Sequence, residues 1–212
     1  MLGLMQKDLC LLLQRSRAMI VMVGVGVIIG FSTDGGFMIG YLTMISAILT
    51  IGTISYDEFD NGYPFLLTLP VTRRSYVTAK YLFCLLGDLV GWAAASVVYT
   101  ACCFLKGEGF GMDQLAEALV FLPVVGLMTS VLLPLQLKYG AEKSRLALAV
   151  LFGGIGVLGA LGMKLFPGLP DTLRAFPEIS GAALGAAALG AVVAAVALSY
   201  WISLGIMEKK EL

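Results

Sequence analysis

Histidine is absent from this chain of 212 residues. The commonest general base and the commonest neutral metal ligand are therefore missing, which weakens any hypothesis of enzymatic catalysis. The four cysteines form no Cys-x-x-Cys pair, and their spacing suits neither a zinc site nor a disulfide framework. The chain also has no Gly-x-x-x-x-Gly-Lys-Ser/Thr motif, so it cannot bind ATP through a P-loop of its own.

Charge is scarce as well. Charged residues make up 13% of the chain and hydrophobic residues 59%, and the mean hydropathy is +0.93. A typical soluble domain is about 45–50% apolar and about 25% charged. The net charge of zero leaves no basic excess for binding nucleic acid. These values predict an integral membrane protein whose main surroundings are a lipid bilayer.

Apolar runs between polar breaks predict the fold class, an all-α membrane protein with six transmembrane helices. Each run is close to the ~20 residues that a helix needs to cross about 30 Å of hydrocarbon. Helices are required because every backbone donor and acceptor must be satisfied inside the lipid. We expect one transmembrane domain over residues 1–212, with spans at about 18–32, 37–55, 77–104, 115–135, 146–166 and 181–205.

The basic residues divide unequally between the two sets of connecting segments. Eleven belong to the set that includes both ends of the chain, and only Lys106, Lys164 and Arg174 belong to the other set. Lys and Arg are enriched on the cytoplasmic side of a membrane. We therefore expect both termini in the cytoplasm. The eleven are Lys7, Arg15, Arg17, Arg73, Arg74, Lys80, Lys138, Lys143, Arg145, Lys209 and Lys210.

Residues 2–17 form an amphipathic pattern before the first span. Apolar residues recur at helical spacing, and polar residues take the opposite side. This pattern predicts a helix lying in the cytoplasmic interface, and the alternative is a plain extension of the first span. The apolar residues are Leu2, Met5, Leu9, Leu12 and Leu13.

Small residues also recur at four-residue spacing, as in Gly26 with Gly30, Gly36 with Gly40, and Gly181 with Gly185. Such faces let helices approach closely, either within one chain or between subunits. We favour packing within the chain.

Asp88 is the one acidic residue well inside a predicted span. An intramembrane carboxylate faces a bundle interior or a watery cavity, so Asp88 is a possible intramembrane polar site for ion or substrate coupling. The alternative is a structural role near the cytoplasmic end of a tilted helix, where Lys80 lies two helical turns earlier.

Residues 56–81, between the second and third spans, form the most informative segment. Acidic residues including Asp57 and Glu58 begin it, an apolar cluster of Phe65, Leu66, Leu67 and Leu69 follows, and Arg73 and Arg74 come near its end. Pro70 suits a helix's first turn, and Thr72 is a candidate helix cap. An apolar cluster among charges on a cytoplasmic loop predicts contact with the lipid interface or a protein partner.

This stretch resembles the small permease subunits of type-2 ABC exporters of Gram-positive bacteria, which include permeases that export phenol-soluble modulins. The resemblance rests on the acidic start at Asp57-Glu58, on Gly62, and on Leu69-Pro70-Val71-Thr72-Arg73 running on to Lys80-Tyr81. Family members commonly carry an acidic residue three positions after the Ser/Thr, which completes a capping box. Ser75 stands there in this chain.

The resemblance implies that residues 56–81 contain a coupling helix that docks on a separate ATPase; we call residues 56–81 the coupling loop. Phe65, Leu66 and Leu69 would fill a groove on that partner, Asp57 and Glu58 would face its basic rim, and Pro70 would belong to the same element. Arg73 and Arg74 would meet lipid headgroups or acids of the partner.

The resemblance also implies the assembly and its location. The permease would bind no cofactor itself, since ATP and Mg²⁺ would bind two copies of the ATPase subunit. A second permease chain, identical or related, would complete the translocation path in the bacterial plasma membrane. The cargo would be amphipathic peptides or other hydrophobic compounds.

Two other functions were weighed against a permease. A secondary transporter would show inverted repeats and helices broken at mid-membrane, and no convincing repeat is present. An intramembrane enzyme needs converging catalytic groups, yet histidine is absent and Asp88 is nearly alone in the spans.

Overall fold

The fold was examined in a computed structural model that describes residues 2–14, 16–32, 35–58, 72–107, 112–165 and 181–209. These residues form helices and short turns, with no β-strand among them, which confirms the all-α fold class. The helices are α1 (Leu2–Gln14), α2 (Ser16–Ser32), α3 (Gly35–Ile51), α4 (Thr53–Glu58), α5 (Arg73–Lys106), α6 (Met112–Leu165) and α7 (Gly181–Lys209).

Four stretches of the described residues are long and apolar enough to cross a membrane. A fifth is added if α1 and the first part of α2, which are bent by 64° relative to one another, form a single broken span. The chain is thus a multi-pass membrane protein, whereas the count of six stays a prediction. The four stretches are Phe37–Asp57, Arg73–Lys106, Ala118–Gly140 and Ala187–Lys209.

The amphipathic segment at the start of the chain is a helix of its own. The 64° bend separates α1 from α2, so α1 is not a straight extension of the first span. Leu4 and Asp8 are buried on one side of α1, whereas Leu2, Leu9 and Leu13 are exposed. Its position in the membrane interface stays a prediction.

Helix α6 is interrupted at Gly140, inside the segment 136–145 that was predicted to connect two spans. The chain is helical on both sides of Gly140. Gly140 itself has φ 80° and ψ 176°, a conformation essentially confined to glycine. One candidate span ends at this residue, and the position of the segment in the cytoplasm stays a prediction. Gln136, just before the kink, is buried and donates a hydrogen bond to Ser55 Oγ at 2.9 Å.

Helices α3 and α5 make an unusually close contact through two glycines. A Cβ atom added to Gly91 would lie 2.1 Å from Ser46 Oγ, and one added to Gly87 would lie 2.3 Å from Thr50 Cγ2. Ser46 Oγ also donates to the Gly87 carbonyl at 3.3 Å. The spacing Gly87-x-x-x-Gly91 thus brings the two backbones together, as small residues do in membrane proteins.

The glycines that the sequence singled out behave differently from one another. Gly26 packs against Leu42 and Gly40 packs against Phe121, so these two serve contacts between helices of the same chain. Gly185 has no neighbour among the described residues within 4 Å of the position that a Cβ would take. The preference for packing within the chain thus holds for Gly26 and Gly40.

The buried apolar residues form two clusters along the bundle. One combines Leu4 of α1 with Ile54 of α4, Val77 of α5, Leu133 of α6 and Met207 of α7. The other combines residues of α3, α5 and α6: Met38, Ile39, Leu42, Ala95, Tyr99, Cys102, Cys103 and Ala118. With Ile51 of α3, the first cluster gathers six helices at the end of the bundle where the coupling loop begins and ends.

Candidate functional site

Four charged side chains from three helices meet beside the first apolar cluster. Lys7 and Asp8 belong to α1, Asp57 to α4 and Lys80 to α5, and we call them the ion cluster. Asp8 is 1% exposed, Asp57 4% and Lys80 2%, whereas Lys7 is partly exposed. Two lysines and two aspartates balance one another, which is the condition for burying charges at a tolerable free energy.

Lys80 occupies the centre of the ion cluster. Its Nζ donates to both carboxylate oxygens of Asp8, at 2.7 and 2.8 Å, and lies 2.8 Å from Asp57 Oδ2. Thr53 Oγ1 is a further acceptor at 3.4 Å. An ammonium group has three protons to donate, and these partners can satisfy all of them.

Asp57 is held from several sides. Its Oδ1 accepts a hydrogen bond from Lys7 Nζ, and its Oδ2 accepts one from the Tyr76 hydroxyl at 2.8 Å in addition to the contact with Lys80. Lys7 Nζ also lies 3.5 Å from Asp8 Oδ1. Each charge in the ion cluster therefore has an opposite charge beside it, and the contacts join α1 to both α4 and α5.

The start of α5 aims Tyr76 and Lys80 into this site. Thr72 caps the helix, with extended backbone angles and an Oγ1 that accepts from the Ser75 amide at 3.2 Å, so its predicted capping role is confirmed. The Thr72 hydroxyl donates to Ser75 Oγ at 3.0 Å. Tyr76 and Lys80 are four residues apart and therefore share one face of α5.

Arg73 and Arg74 contact the end of α7. Arg73 Nη1 donates to the carbonyl oxygens of Met207 at 3.1 Å and Glu208 at 2.8 Å. Arg74 forms an exposed ion pair with the Glu208 carboxylate, with Nη2 and Oε1 3.2 Å apart. The last carbonyls of a helix lack partners within the helix, and a cation at that end is attracted by the negative end of the helix dipole. Contacts of these arginines with lipid headgroups or with acids of a partner stay a prediction.

Asp57 also differs from its expected placement. Its carboxylate points into the bundle and is saturated by Lys7, Lys80 and Tyr76, so it does not face outward to a basic rim. Glu58 is the last residue of α4. The predicted docking residues Phe65, Leu66, Leu69 and Pro70 lie outside the described residues. The structure thus brings together the two ends of the coupling loop.

Asp88 lies apart from the ion cluster, between α5 and α6. It is buried, and its Oδ2 accepts a hydrogen bond from Thr129 Oγ1 at 2.7 Å. Its Oδ1 has no hydrogen-bond partner among the described residues. Lys80 is not the partner of Asp88, because its ammonium contacts Asp8 and Asp57 instead.

Sequence reasoning missed Asp8, Tyr76 and the role of Lys80. A signal for Asp8 was present, since it is the only acidic residue of α1 and lies four residues after the buried Leu4. Lys80 was counted as a cytoplasmic charge and as a neighbour of Asp88, although it stands within an apolar stretch of α5. An acid and a base that each interrupt an apolar helix face are candidates for a buried pair.

A comparison with protein-family models decides the family. The model described as "ABC-2 family transporter protein" matches residues 3–208. The chain belongs to the ABC-2 transporter family. The match covers every helix described above and both ends of the coupling loop. Neither the curated proteins nor the solved structures include a significant match to this chain.

Membership in the ABC-2 family confirms the broader part of the resemblance noted in the sequence. It indicates a membrane subunit of a transporter rather than an enzyme. The narrower group, the Gram-positive exporters of phenol-soluble modulins, stays a prediction.

Proposed function

We propose that this ABC-2 chain is the translocating subunit of an exporter driven by separate ATPase subunits. Two ATPase copies would bind ATP and Mg²⁺, and a second permease chain, identical or related, would complete the translocation path. Both termini would lie on the cytoplasmic side of a bacterial plasma membrane. The family match and the basic residues concentrated on one set of connections support this arrangement.

The observation that carries the proposal is the ion cluster at the ends of the coupling loop. Asp57 precedes residues 59–71 and Lys80 follows them, and the two side chains are in contact. Asp8 extends this contact to α1. A push on the loop by a partner would therefore act on several helices together rather than on one flexible connection.

The end of α7 is also joined to the start of α5. Arg73 joins the first turn of α5 to the last turn of α7 through the carbonyls of Met207 and Glu208. Farther along the same pair of helices, the Tyr81 hydroxyl lies 2.6 Å from Ser199 Oγ and 2.7 Å from Ser203 Oγ. Movement of the start of α5 would accordingly move α7, and the loop would control both.

We assign different tasks to the residues of the coupling loop. Phe65, Leu66 and Leu69 would contact the ATPase, since an apolar core with a polar rim is typical of protein interfaces. Glu58 would belong to that rim. Asp57 and Arg73 would anchor the loop to the helices that it moves.

The cargo is proposed from the resemblance alone. Amphipathic peptides or other hydrophobic compounds would suit a path between apolar helices. A path between two copies of the chain fits the small size of each, because one chain has few spans with which to enclose a substrate.

The test is co-purification from the native host. The tagged chain is extracted in mild detergent, and the recovered P-loop ATPases are quantified by mass spectrometry. The test variant combines Phe65→Asp with Leu69→Asp. A matched control combines Phe104→Asp with Leu105→Asp, which changes the same residue types at the exposed far end of α5.

We expect wild type and control to recover an ATPase, and the coupling-loop variant to lose it while reaching the membrane at normal levels. Failure of the wild-type chain to recover any P-loop ATPase would contradict the exporter proposal. Equal recovery by both variants would contradict only the assignment of Phe65 and Leu69 to the docking surface.

A further inference from the structure

An apolar groove of about 470 Å³ lies between α1, α2, α3 and α5. Met5 and Leu9 of α1 cover one end of it, and Met22, Ile45 and Phe83 contribute to its walls. Polar side chains are few along it: Gln6, Ser46 and Thr50. The groove shares no residue with the ion cluster.

The opening of the groove faces sideways. Several of its lining residues are also exposed, and apart from Gln6 they are apolar, among them Leu2, Leu9, Val23, Leu86 and Val90. Leu86 and Val90 lie near the middle of α5, which is long and apolar enough to cross the membrane. Exposed apolar residues near the middle of such a helix lie at the depth of the hydrocarbon. The groove therefore opens toward lipid chains.

The width of the groove indicates what kind of molecule can occupy it. Its lining runs along α5 from Phe83 to Val98, fifteen residues, which is about 22 Å at 1.5 Å per residue. The 470 Å³ is the space open to the centre of a water molecule, and over that length its mean cross-section is about 21 Å². With the radius of water, about 1.4 Å, added on each side, the groove is about 8 Å wide. One hydrocarbon chain fits within this width, whereas a helical peptide, about 10–12 Å across with its side chains, does not fit.

We propose that this groove binds one acyl chain of a membrane phospholipid, drawn from the leaflet in which α1 lies. Water would gain too few hydrogen bonds there, and an empty groove would forfeit the dispersion contacts of its walls. Gln6, which lines the groove and is exposed, places a polar group on α1 where a headgroup would sit. The proposal does not depend on the exporter's cargo or its ATPase.

The test uses purified full-length chain in phosphatidylcholine vesicles that contain a phospholipid with a photoactivatable acyl chain. Val90→Trp would fill the rim of the groove. Val97→Trp is the matched control, because Val97 lies seven residues along the same helix, does not line the groove, and is 69% exposed against 67% for Val90. Val23→Trp fills the groove from α2 and serves as a second test variant.

We expect labelling to concentrate on peptides that contain residues 2–12 and 83–98. Labelling of these peptides should fall about tenfold in Val90→Trp, since the indole displaces at least two methylene groups of the chain. Val23→Trp should reduce labelling similarly, and Val97→Trp should leave it unchanged. Thermal unfolding of each variant establishes that it is folded.

Two outcomes would overturn the proposal. Labelling spread evenly over the exposed apolar faces, with no difference between Val90→Trp and Val97→Trp, would mean that the groove holds no particular chain. A lower mass for Val90→Trp than for wild type by light scattering would mean that a second copy of the chain occupies the groove.

Discussion

Lys80 Nζ and Asp57 Oδ2 are 2.8 Å apart across the two ends of the coupling loop. The contact is buried, and the same ammonium group binds both oxygens of Asp8 on α1. Three helices that are distant in sequence therefore depend on one lysine. Removal of one partner from a buried ion cluster leaves the remaining charges without compensation.

Lys80→Met tests this dependence. The methionine has a similar volume but no charge, so Asp8 and Asp57 would share only Lys7. We expect the free energy of unfolding in detergent to fall by about 3–5 kcal/mol. Lys143→Met, which removes an exposed lysine, should change it by less than about 1 kcal/mol. A small effect of Lys80→Met would show that the ion cluster contributes little to stability.

Combining Asp8→Asn with Lys80→Met gives a sharper form of the test. The double variant removes one charge of each sign and leaves Lys7 beside Asp57. Its loss of free energy of unfolding should therefore be smaller than the sum of the losses in the two single variants. A coupling energy of about 0.5–3 kcal/mol is expected for residues in contact, and it is measured by a double-mutant cycle. Strict additivity would contradict a direct interaction between Asp8 and Lys80.

Hydropathy and caps made much of the fold predictable. Apolar runs gave the helical class, and Thr72 marked the start of α5 because its hydroxyl can satisfy a free backbone amide. The polar segment 136–145 was predicted to connect two spans, and the helix is interrupted inside it at Gly140. Hydropathy indicates where a helix ends in a membrane protein, but not the backbone conformation of the connection.

The candidate site was only partly predictable. Residues 56–81 were singled out because their apolar and charged residues contrast locally, and the docking role of this loop stays a prediction. The pairing of Asp8 with Lys80 joins residues 72 positions apart, and no local pattern specifies which distant charge a buried lysine meets. Gly87 and Gly91 were overlooked for the same reason, since their importance lies in the approach of Ser46 and Thr50 on another helix.

The two neighbouring arginines of α5 should differ in their effect on the end of α7. Arg73→Met removes the donor to two helix-terminal carbonyls, and we expect the end of α7 to lose about 1–2 kcal/mol of stability. Arg74→Met breaks only an exposed ion pair, for which about 0–1 kcal/mol is usual. Hydrogen exchange of residues 200–209 measures the difference. Equal exchange in both variants would show that Arg73 does not hold α7.

Because α3 and α5 are in close contact, a substitution on one helix should partly restore the stability lost by a substitution on the other. Gly91→Ala places a methyl group against Ser46 and should destabilise the chain by about 1–3 kcal/mol. Gly24→Ala is the control, because the corresponding space on α2 is open. Adding Ser46→Gly to Gly91→Ala removes the atoms in conflict and should restore part of the loss. Thermal unfolding measures all of these variants, and a neutral Gly91→Ala would contradict the close contact.

The same substitution should have opposite effects at two buried aspartates. Asp88→Asn keeps an oxygen to accept the Thr129 hydroxyl and removes a charge whose other oxygen has no partner among the described residues, so the free energy of unfolding should rise by about 1–3 kcal/mol. Asp8→Asn removes a charge that Lys80 compensates, and stability should fall. Thermal unfolding of both variants checks the signs.

Transport by the Asp88→Asn variant then separates the two roles of this carboxylate. If Asp88 only packs α5 against α6, a stable variant should export at the wild-type rate, because the hydrogen bond from Thr129 is retained. If the charge takes part in coupling, the variant should be more stable yet lose transport, since functional charges in membranes are held at a cost in stability. A variant that is less stable than wild type would show that a positive or donor group beyond the described residues compensates Asp88.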